Sequence, residues 1–158
     1  MPPTTGAPLT CRISDRYPHM DPKQLIQQLV NEESGDVSLY AREAELFARK
    51  IVDGRRIAET FSRFSAEEAS HLKVLSAIAG GDVSIKRREI GVGSSLTLAL
   101  KVHEERESDS IRLYNDLSAS LEDQAHKIML KGVIDQEKSH LETIRKYLKA
   151  IRASKREE

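Results

Sequence analysis

The sequence predicts an all-α fold, a four-helix bundle of two helical hairpins that a long crossover joins. Along four segments, apolar residues recur at alternating steps of four and three, which is the spacing of one face of an α-helix. The motif Glu-x-x-His occurs at Glu68 and again at Glu137, an offset of 69 residues, which indicates two copies of one hairpin. No segment shows a strand-type alternation of useful length.

Length and composition favour one domain without a strongly charged partner. The 158 residues suffice to bury a real core, and the 25 basic and 25 acidic residues cancel. We therefore expect neither nucleic acid nor a membrane as a partner. Because no apolar run approaches the roughly 20 residues of a membrane helix and no secretory leader is evident, we expect a cytoplasmic protein. The single cysteine, Cys11, excludes an internal disulfide.

The chain divides into three predicted parts. Residues 1–21 are rich in proline and show no sustained period, so we expect an N-terminal arm. Residues 22–152 carry the helical pattern and form the bundle. Residues 153–158 are polar, and we expect them to form a frayed C-terminal tail.

The first predicted helix begins at Pro22, because Asp21 can cap it and proline suits the first helical position. Its apolar pattern runs to about Val52. Gly35 weakens this helix by about 1 kcal/mol, so a break there is an alternative to one continuous helix. A turn at Asp53 and Gly54 separates it from the second helix.

The second helix runs from about Arg55 to Ala79, and the connector of residues 80–93 follows it. Extended at roughly 3.3 Å per residue, this connector is longer than a helix of about 25 residues. It can therefore cross the whole bundle, which a short loop could not do.

The third helix is capped by Ser94 or Ser95, and its inner stripe ends near Tyr114. A turn at about residues 118–123 leads into the fourth helix, which continues to about Ile151. The second hairpin therefore repeats the helix-turn-helix pattern of the first.

The two Glu-x-x-His motifs occupy positions where apolar residues are expected. Glu68 and His71 fill two vacant places in the apolar series of the second helix, and Glu137 and His140 lie in the corresponding series of the fourth. These side chains should therefore point inward. Burying an unpaired carboxylate costs several kcal/mol, and a metal ion is one partner that can neutralise it.

The other two helices supply further inward acids. The third helix carries Glu104 and Glu107 on its stripe, and the midpoint of Glu107 and Glu137 falls at residue 122, inside the predicted turn, so the two should lie level. In the first helix, the height of Asp36 matches Glu68 better, whereas Glu33 fits the apolar stripe better. We favour Asp36 by height and keep Glu33 as the alternative. Four-helix bundles with two metal ions use one carboxylate from each of two helices and a Glu-x-x-His from each of the others. The candidate ligands are Asp36, Glu33, Glu68, His71, Glu104, Glu107, Glu137 and His140.

These motifs resemble the rubrerythrin-like branch of the ferritin-like superfamily over about residues 22–152. The resemblance is carried by Glu68-x-x-His71, Glu104-x-x-Glu107 and Glu137-x-x-His140, and by the equal spacing of Glu33 from Tyr40 and of Glu107 from Tyr114. It implies a ferritin-like bundle that holds two iron ions, with manganese or zinc as substitutes. By the same resemblance, Glu68 and Glu137 would bridge the ions and His71 and His140 would be terminal ligands. Glu104, Glu107 and an acid of the first helix would complete the site.

The resemblance implies a di-iron peroxidase or ferroxidase that acts on peroxide or dioxygen. No rubredoxin-like Cys-x-x-Cys pair is present, so the electron donor would be external, and we expect a homodimer. One alternative is a non-catalytic metal-binding or structural module with an incomplete site. Another is a network of inward acids that share protons and bind no metal. We expect Tyr40 and Tyr114 in the core with bonded hydroxyls, and His103 and His126 as surface or core residues outside the site.

Overall fold

The computed structural model describes residues 20–50, 54–81, 83–85, 90–93 and 95–156. The predicted N-terminal arm lies almost wholly outside these residues. Within the described part of the chain, every regular element is helical. The helices are α1 (Pro22–Lys50), α2 (Gly54–Ala79), α3 (Leu96–Ser120) and α4 (Gln124–Arg156).

Side chains cap the helices as their sequences indicate. At α1, Asp21 accepts a hydrogen bond from the backbone NH of Gln24 (2.9 Å), and the Gln24 side chain accepts one from the backbone NH of Asp21 (3.1 Å). This reciprocal arrangement satisfies two backbone donors at the helix start. At α3, Ser95 Oγ accepts a hydrogen bond from the backbone NH of Leu98 (3.2 Å). Helix α2 ends at Ala79 and is followed by Gly80, whose φ is 78°.

One alternative is resolved, and one boundary differs from the sequence prediction. The first helix is continuous through the buried Gly35, as predicted, and the alternative of a break there is not realised. A Cβ at Gly35 would lie 2.8 Å from Ile90 Cδ1, so glycine lets the connector pack closely on the helix. The fourth helix does not end near Ile151 but continues to Arg156, since the residues beyond Ile151 include no helix breaker.

The four helices form the predicted bundle of two hairpins. Ser65 Oγ on α2 donates to the carbonyl of Val37 on α1, and the Tyr40 and Tyr114 hydroxyls each cross between α1 and α3. Described parts of the connector follow α1, where Gln27 Nε2 donates to the Ser84 carbonyl (2.8 Å). Helices α1 and α4 therefore run in one sense and α2 and α3 in the other, the order that a long crossover permits.

Apolar side chains fill the bundle on both sides of a polar middle layer. One cluster contains Leu29, Leu117 and Leu130, and the other contains Phe47, Phe61 and Ile144. The layer between them consists of buried acids and histidines. None of the described helices combines the length and apolarity needed to span a membrane.

Candidate metal centre

Six side chains from all four helices converge in the polar layer of the bundle. Helices α2 and α4 each contribute a Glu-x-x-His pair, because residues three apart share one helix face. Helices α1 and α3 each contribute one glutamate. Each of these side chains is at most 2% exposed, and together they are Glu33, Glu68, His71, Glu107, Glu137 and His140.

The six side chains form two overlapping groups that could each hold a metal ion. The first group is Glu33, Glu68, His71 and Glu137, and the second is Glu68, Glu107, Glu137 and His140. Within each group, one ligand atom from every residue lies within 4.8 Å of the others. Glu68 and Glu137 belong to both groups, so their carboxylates could contact two ions.

Two tyrosine hydroxyls fix the carboxylates that belong to one group only. Tyr40 donates to Glu107 Oε1 (2.6 Å), and Tyr114 donates to Glu33 Oε1 (2.7 Å). Burial and the neighbouring carboxylates raise the pKa of both tyrosines well above the usual value. Both hydroxyls therefore keep their protons and act as donors, which leaves the second oxygen of each glutamate for the centre.

The histidines are oriented from outside the centre. His140 Nε2 bonds to Glu67 Oε2 (2.5 Å), and His71 Nε2 bonds to Gln136 Oε1 (2.7 Å). Because an ionised carboxylate and an amide oxygen only accept hydrogen bonds, each Nε2 carries the proton. The other ring nitrogen, Nδ1, faces the carboxylates of the centre in each ring and is the atom that could bind a metal ion.

Without a metal ion, protons neutralise the crowded carboxylates. Burial lowers the pKa of His71, but its hydrogen bonds to Glu33 and Glu68 outweigh burial and raise the pKa to about 10. Burial likewise opposes the effect of Glu107 and Glu68 on His140, and the pKa of His140 rises to about 11. Burial and neighbouring carboxylates raise the pKa of Glu68 and of Glu137 well above the usual value.

The donor set fits two divalent cations. Among the described residues, several buried atoms that face the centre make no well-aligned hydrogen bond: Glu68 Oε1, Glu107 Oε2, both carboxylate oxygens of Glu137, and His140 Nδ1. Two of them, His140 Nδ1 and Glu68 Oε1, lie 3.0 Å apart as an ion pair. Unpaired buried polar atoms are unfavourable unless something else satisfies them. Four carboxylates can offset the charge of two such ions, and oxygen with imidazole suits iron, manganese and zinc.

Two other candidate ligands lie outside both groups. Asp36 is buried but bonds to Arg106 Nε (2.6 Å), and Arg106 also contacts Glu32 (3.0 Å). Burial raises the pKa of Asp36 to about 7, and the guanidinium of Arg106 opposes this rise. Glu104 lies near the surface, where it accepts a hydrogen bond from Arg145 Nε (3.1 Å). Of the two alternatives in the first helix, the structure brings Glu33, and not Asp36, to the centre.

Three buried or bonded residues near the centre were not predicted from the sequence: Glu67, Gln136 and Glu43. Glu67 and Gln136 directly precede the two glutamates that both groups share, and their equal offset of 69 residues was a signal available in the sequence. Glu43 and His103 form a buried pair (2.5 Å), and the His103 ring stacks on Tyr40 at a centroid distance of 3.9 Å. Glu43 lies three residues after Tyr40, which places it on the same inner face. His103 is thus a core histidine.

Comparisons with known proteins agree with this architecture. The family model described as rubrerythrin matches residues 26–148. The solved structure of bacterioferritin from Rhodobacter capsulatus, described with a metal-free dinuclear site and haem iron, is similar with a TM-score of 0.72. The two chains are 17% identical, and the match covers 83% of this chain and 88% of the bacterioferritin chain, which supports a common fold. No curated protein sequence matches the chain significantly. Since the family model spans most of the chain and includes all six converging side chains, this protein belongs to the rubrerythrin family.

Proposed function

We propose that the chain is a carboxylate-bridged di-iron protein that reduces hydrogen peroxide with electrons from an external donor. The observation that carries the proposal is the pair of overlapping ligand groups, which share Glu68 and Glu137. A shared pair of carboxylates would keep two ions close together and act on both of them at once. Each group also contains one imidazole and one further glutamate, so each ion would have its own terminal ligands.

A pair of ferrous ions bound there would supply two electrons together. Hydrogen peroxide takes up two electrons and two protons to give two molecules of water, so paired delivery avoids release of a radical. With iron as the substrate, the same residues would support a ferroxidase reaction with peroxide or dioxygen. We favour the peroxidase over the ferroxidase. In a peroxidase the same ligands hold iron in both oxidation states, and an enclosed set of six buried side chains suits such a reusable centre.

The protein's own residues would bind the metal ions, orient the ligands and exclude large molecules from the centre. The six side chains are at most 2% exposed, so only a small oxidant could reach their inner atoms without a large opening of the bundle. Tyr40 and Tyr114 hold Glu107 and Glu33 by their outer oxygens and limit the orientations of these carboxylates. Glu67 is partly exposed and bonds to His140, so it links one ligand to solvent.

The first experiment measures metal content and the oxidant that the protein consumes. Protein produced with supplementary iron should contain about two irons per chain and should consume peroxide faster than dioxygen when a chemical reductant is supplied. The matched variant is E68Q/E137Q, in which the amides keep the shape of both shared residues but cannot bridge cations. We expect this variant to lose bound iron and peroxide consumption together.

Other outcomes would indicate the alternative functions. Tightly bound zinc with no consumption of peroxide or dioxygen would contradict the peroxidase and favour a non-catalytic metal-binding module. Folded protein that binds no added metal ion would favour a proton-sharing acid network. The expected homodimer rests on the family resemblance alone, and the expected cytoplasmic location stays a prediction from the sequence.

A further inference from the structure

The two hairpins place different residues at one equivalent position beside the centre. Glu67 precedes the bridging Glu68, and Gln136 precedes the bridging Glu137, at the same offset of 69 residues. Each side chain reaches the histidine of the opposite hairpin. Glu67 bonds to His140 Nε2 (2.5 Å), and Gln136 bonds to His71 Nε2 (2.7 Å).

The inner ligands of the two groups are otherwise alike. Each group contains the two shared glutamates, one further glutamate and one histidine. The further glutamates, Glu33 and Glu107, each accept a hydrogen bond from a tyrosine hydroxyl, at 2.7 Å and 2.6 Å respectively. Among the side chains that hydrogen-bond to the ligands, the partner of the outer histidine nitrogen is therefore the clearest chemical difference between the two metal positions.

A carboxylate and an amide act differently on the ring that they contact. A carboxylate that accepts the Nε2 proton pulls that proton more strongly than an amide oxygen does, which increases electron density at Nδ1. A more basic Nδ1 binds a cation more tightly. Glu67 also brings a negative charge close to the metal position, whereas Gln136 is neutral.

The surroundings of Glu67 weaken this effect only slightly. Arg63 Nε lies 3.9 Å from Glu67 Oε1, but the Arg63 side chain is 61% exposed, so the ion pair is screened by solvent. The oxygen that bonds to His140 is the other one, Oε2. The partner of His71 has no comparable charge, since an amide carries none.

We propose that Glu67 makes the two metal positions unequal, so that the position of His140 takes up a divalent cation first and holds it more tightly than the position of His71. Glu67 acts through His140 and is a positioning residue. The proposal rests on the metal centre of the proposed function, but it requires no peroxide turnover.

The test is a titration of the metal-free full-length chain with cobaltous ion, followed by its visible absorbance. We expect two binding steps whose affinities differ by about 10- to 100-fold, the range typical of residues that orient a metal ligand. The tighter step should disappear in H140A, and the weaker step should disappear in H71A. This pair of variants assigns each step to a position.

Exchange of glutamate and glutamine at positions 67 and 136 tests whether Glu67 causes the difference between the two metal affinities. E67Q should weaken the tighter step until the two affinities are similar, and Q136E should strengthen the weaker step by a comparable factor. The double exchange E67Q/Q136E should move the tighter step to the position of His71. E142Q changes the same charge at a glutamate that is 70% exposed on the outer face of α4, and it should leave both steps unchanged.

Two results would overturn the proposal. Equal affinities in the unmodified protein, or an inequality that survives E67Q, would show that Glu67 does not set the order of binding. Neither result would affect the proposed peroxidase. Conversely, unequal binding that responds to these exchanges would support the proposal even if the protein consumed no peroxide. A chain that bound no cobalt at all would contradict both proposals.

Discussion

His71 and His140 hold the protons that an incoming metal ion must displace. Their pKa values of about 10 and about 11 mean that both imidazoles are protonated at neutral pH in the metal-free protein. A metal ion binds only the deprotonated Nδ1, so binding has to release these protons. The same raised values stabilise the metal-free fold below about pH 6.5, and this contribution is lost as the pH rises through about 10.

We therefore predict that metal binding strengthens steeply with pH. Between pH 6 and pH 8, the affinity for zinc or cobalt should rise by about tenfold per pH unit for each proton released. Calorimetry in buffers of different ionisation enthalpy measures the number of protons directly. E67Q serves as a comparison, because it should weaken binding and still release protons. An affinity that stayed constant over this range would show that both histidines are already neutral.

Which acidic residue of α1 reaches the centre depends on its direction around the helix axis as well as on its height along the helix. Asp36 matches the height of Glu68, but its short side chain turns toward Arg106, which bonds to it at 2.6 Å. Glu33 is one turn away on the apolar stripe, and its longer side chain reaches the centre. The stripe could be read from the sequence, whereas the position of Arg106 on α3 depends on how α1 and α3 pack. Height along the helix therefore favoured Asp36, whereas the packing of α1 against α3 turns Asp36 to Arg106 and leaves Glu33 at the centre.

The two sides of the centre also differ in a buried pair, which one residue of α1 and one residue of α3 form on each side. At the offset of 74 residues that relates Tyr40 to Tyr114, Leu29 corresponds to His103 and Glu43 corresponds to Leu117. Leu29 and Leu117 are fully buried, and Glu43 and His103 are buried to the same degree. One half of the bundle therefore has two leucines where the other half has an acid and a histidine. Either kind of pair therefore packs in a buried position beside the centre.

We predict that the Glu43–His103 pair depends on both partners. H103L should reduce the free energy of unfolding by about 3 to 5 kcal/mol, because it leaves the Glu43 carboxylate buried without its partner. E43L/H103L should recover most of that loss, since two leucines already pack at the equivalent positions. Urea denaturation of the metal-free protein measures both changes.

H126L is the control for this pair of variants. His126 is partly exposed, and its replacement should change the free energy of unfolding by no more than about 0.5 kcal/mol. If the double variant proved as unstable as H103L, the leucine pair would not substitute for the charged one. The two halves would then differ in backbone packing and not in side chains alone.

The bundle as a whole was predictable because its pattern is repeated and redundant. Four apolar stripes, two Glu-x-x-His motifs and one long connector all indicate the same arrangement, so an error in one helix boundary does not change it. The converging side chains were harder to predict, since Glu104 and Glu107 both lie on or near one stripe and differ by less than one turn. Arg145 on α4 holds Glu104 near the surface, and this contact exists only after α3 and α4 pack.

The buried acids of the polar middle layer lower the stability of the metal-free protein, and the same acids are the residues that could bind metal. Buried acids without a metal ion destabilise the bundle, and burial keeps Glu68 and Glu137 protonated well above the usual carboxylate pKa. Replacement of buried ionisable groups by apolar residues of similar volume is often stabilising. Bound metal reverses the balance, because a ligand that binds only the native state stabilises it by mass action.

We predict that E68L/E137L is more stable than the unmodified protein in the absence of metal but is no longer stabilised by metal. Without metal, the variant should be more stable than the unmodified protein by about 1 to 4 kcal/mol. With zinc at about 100 times its Kd, the unmodified protein should gain about 2.7 kcal/mol per bound ion, and the variant should gain nothing. Leucines at Glu59 and Glu142, which are 72% and 70% exposed, provide a control that should keep the zinc response. A metal-free variant less stable than the unmodified protein would mean that the acids and histidines support the fold as a proton-sharing network even without a metal ion.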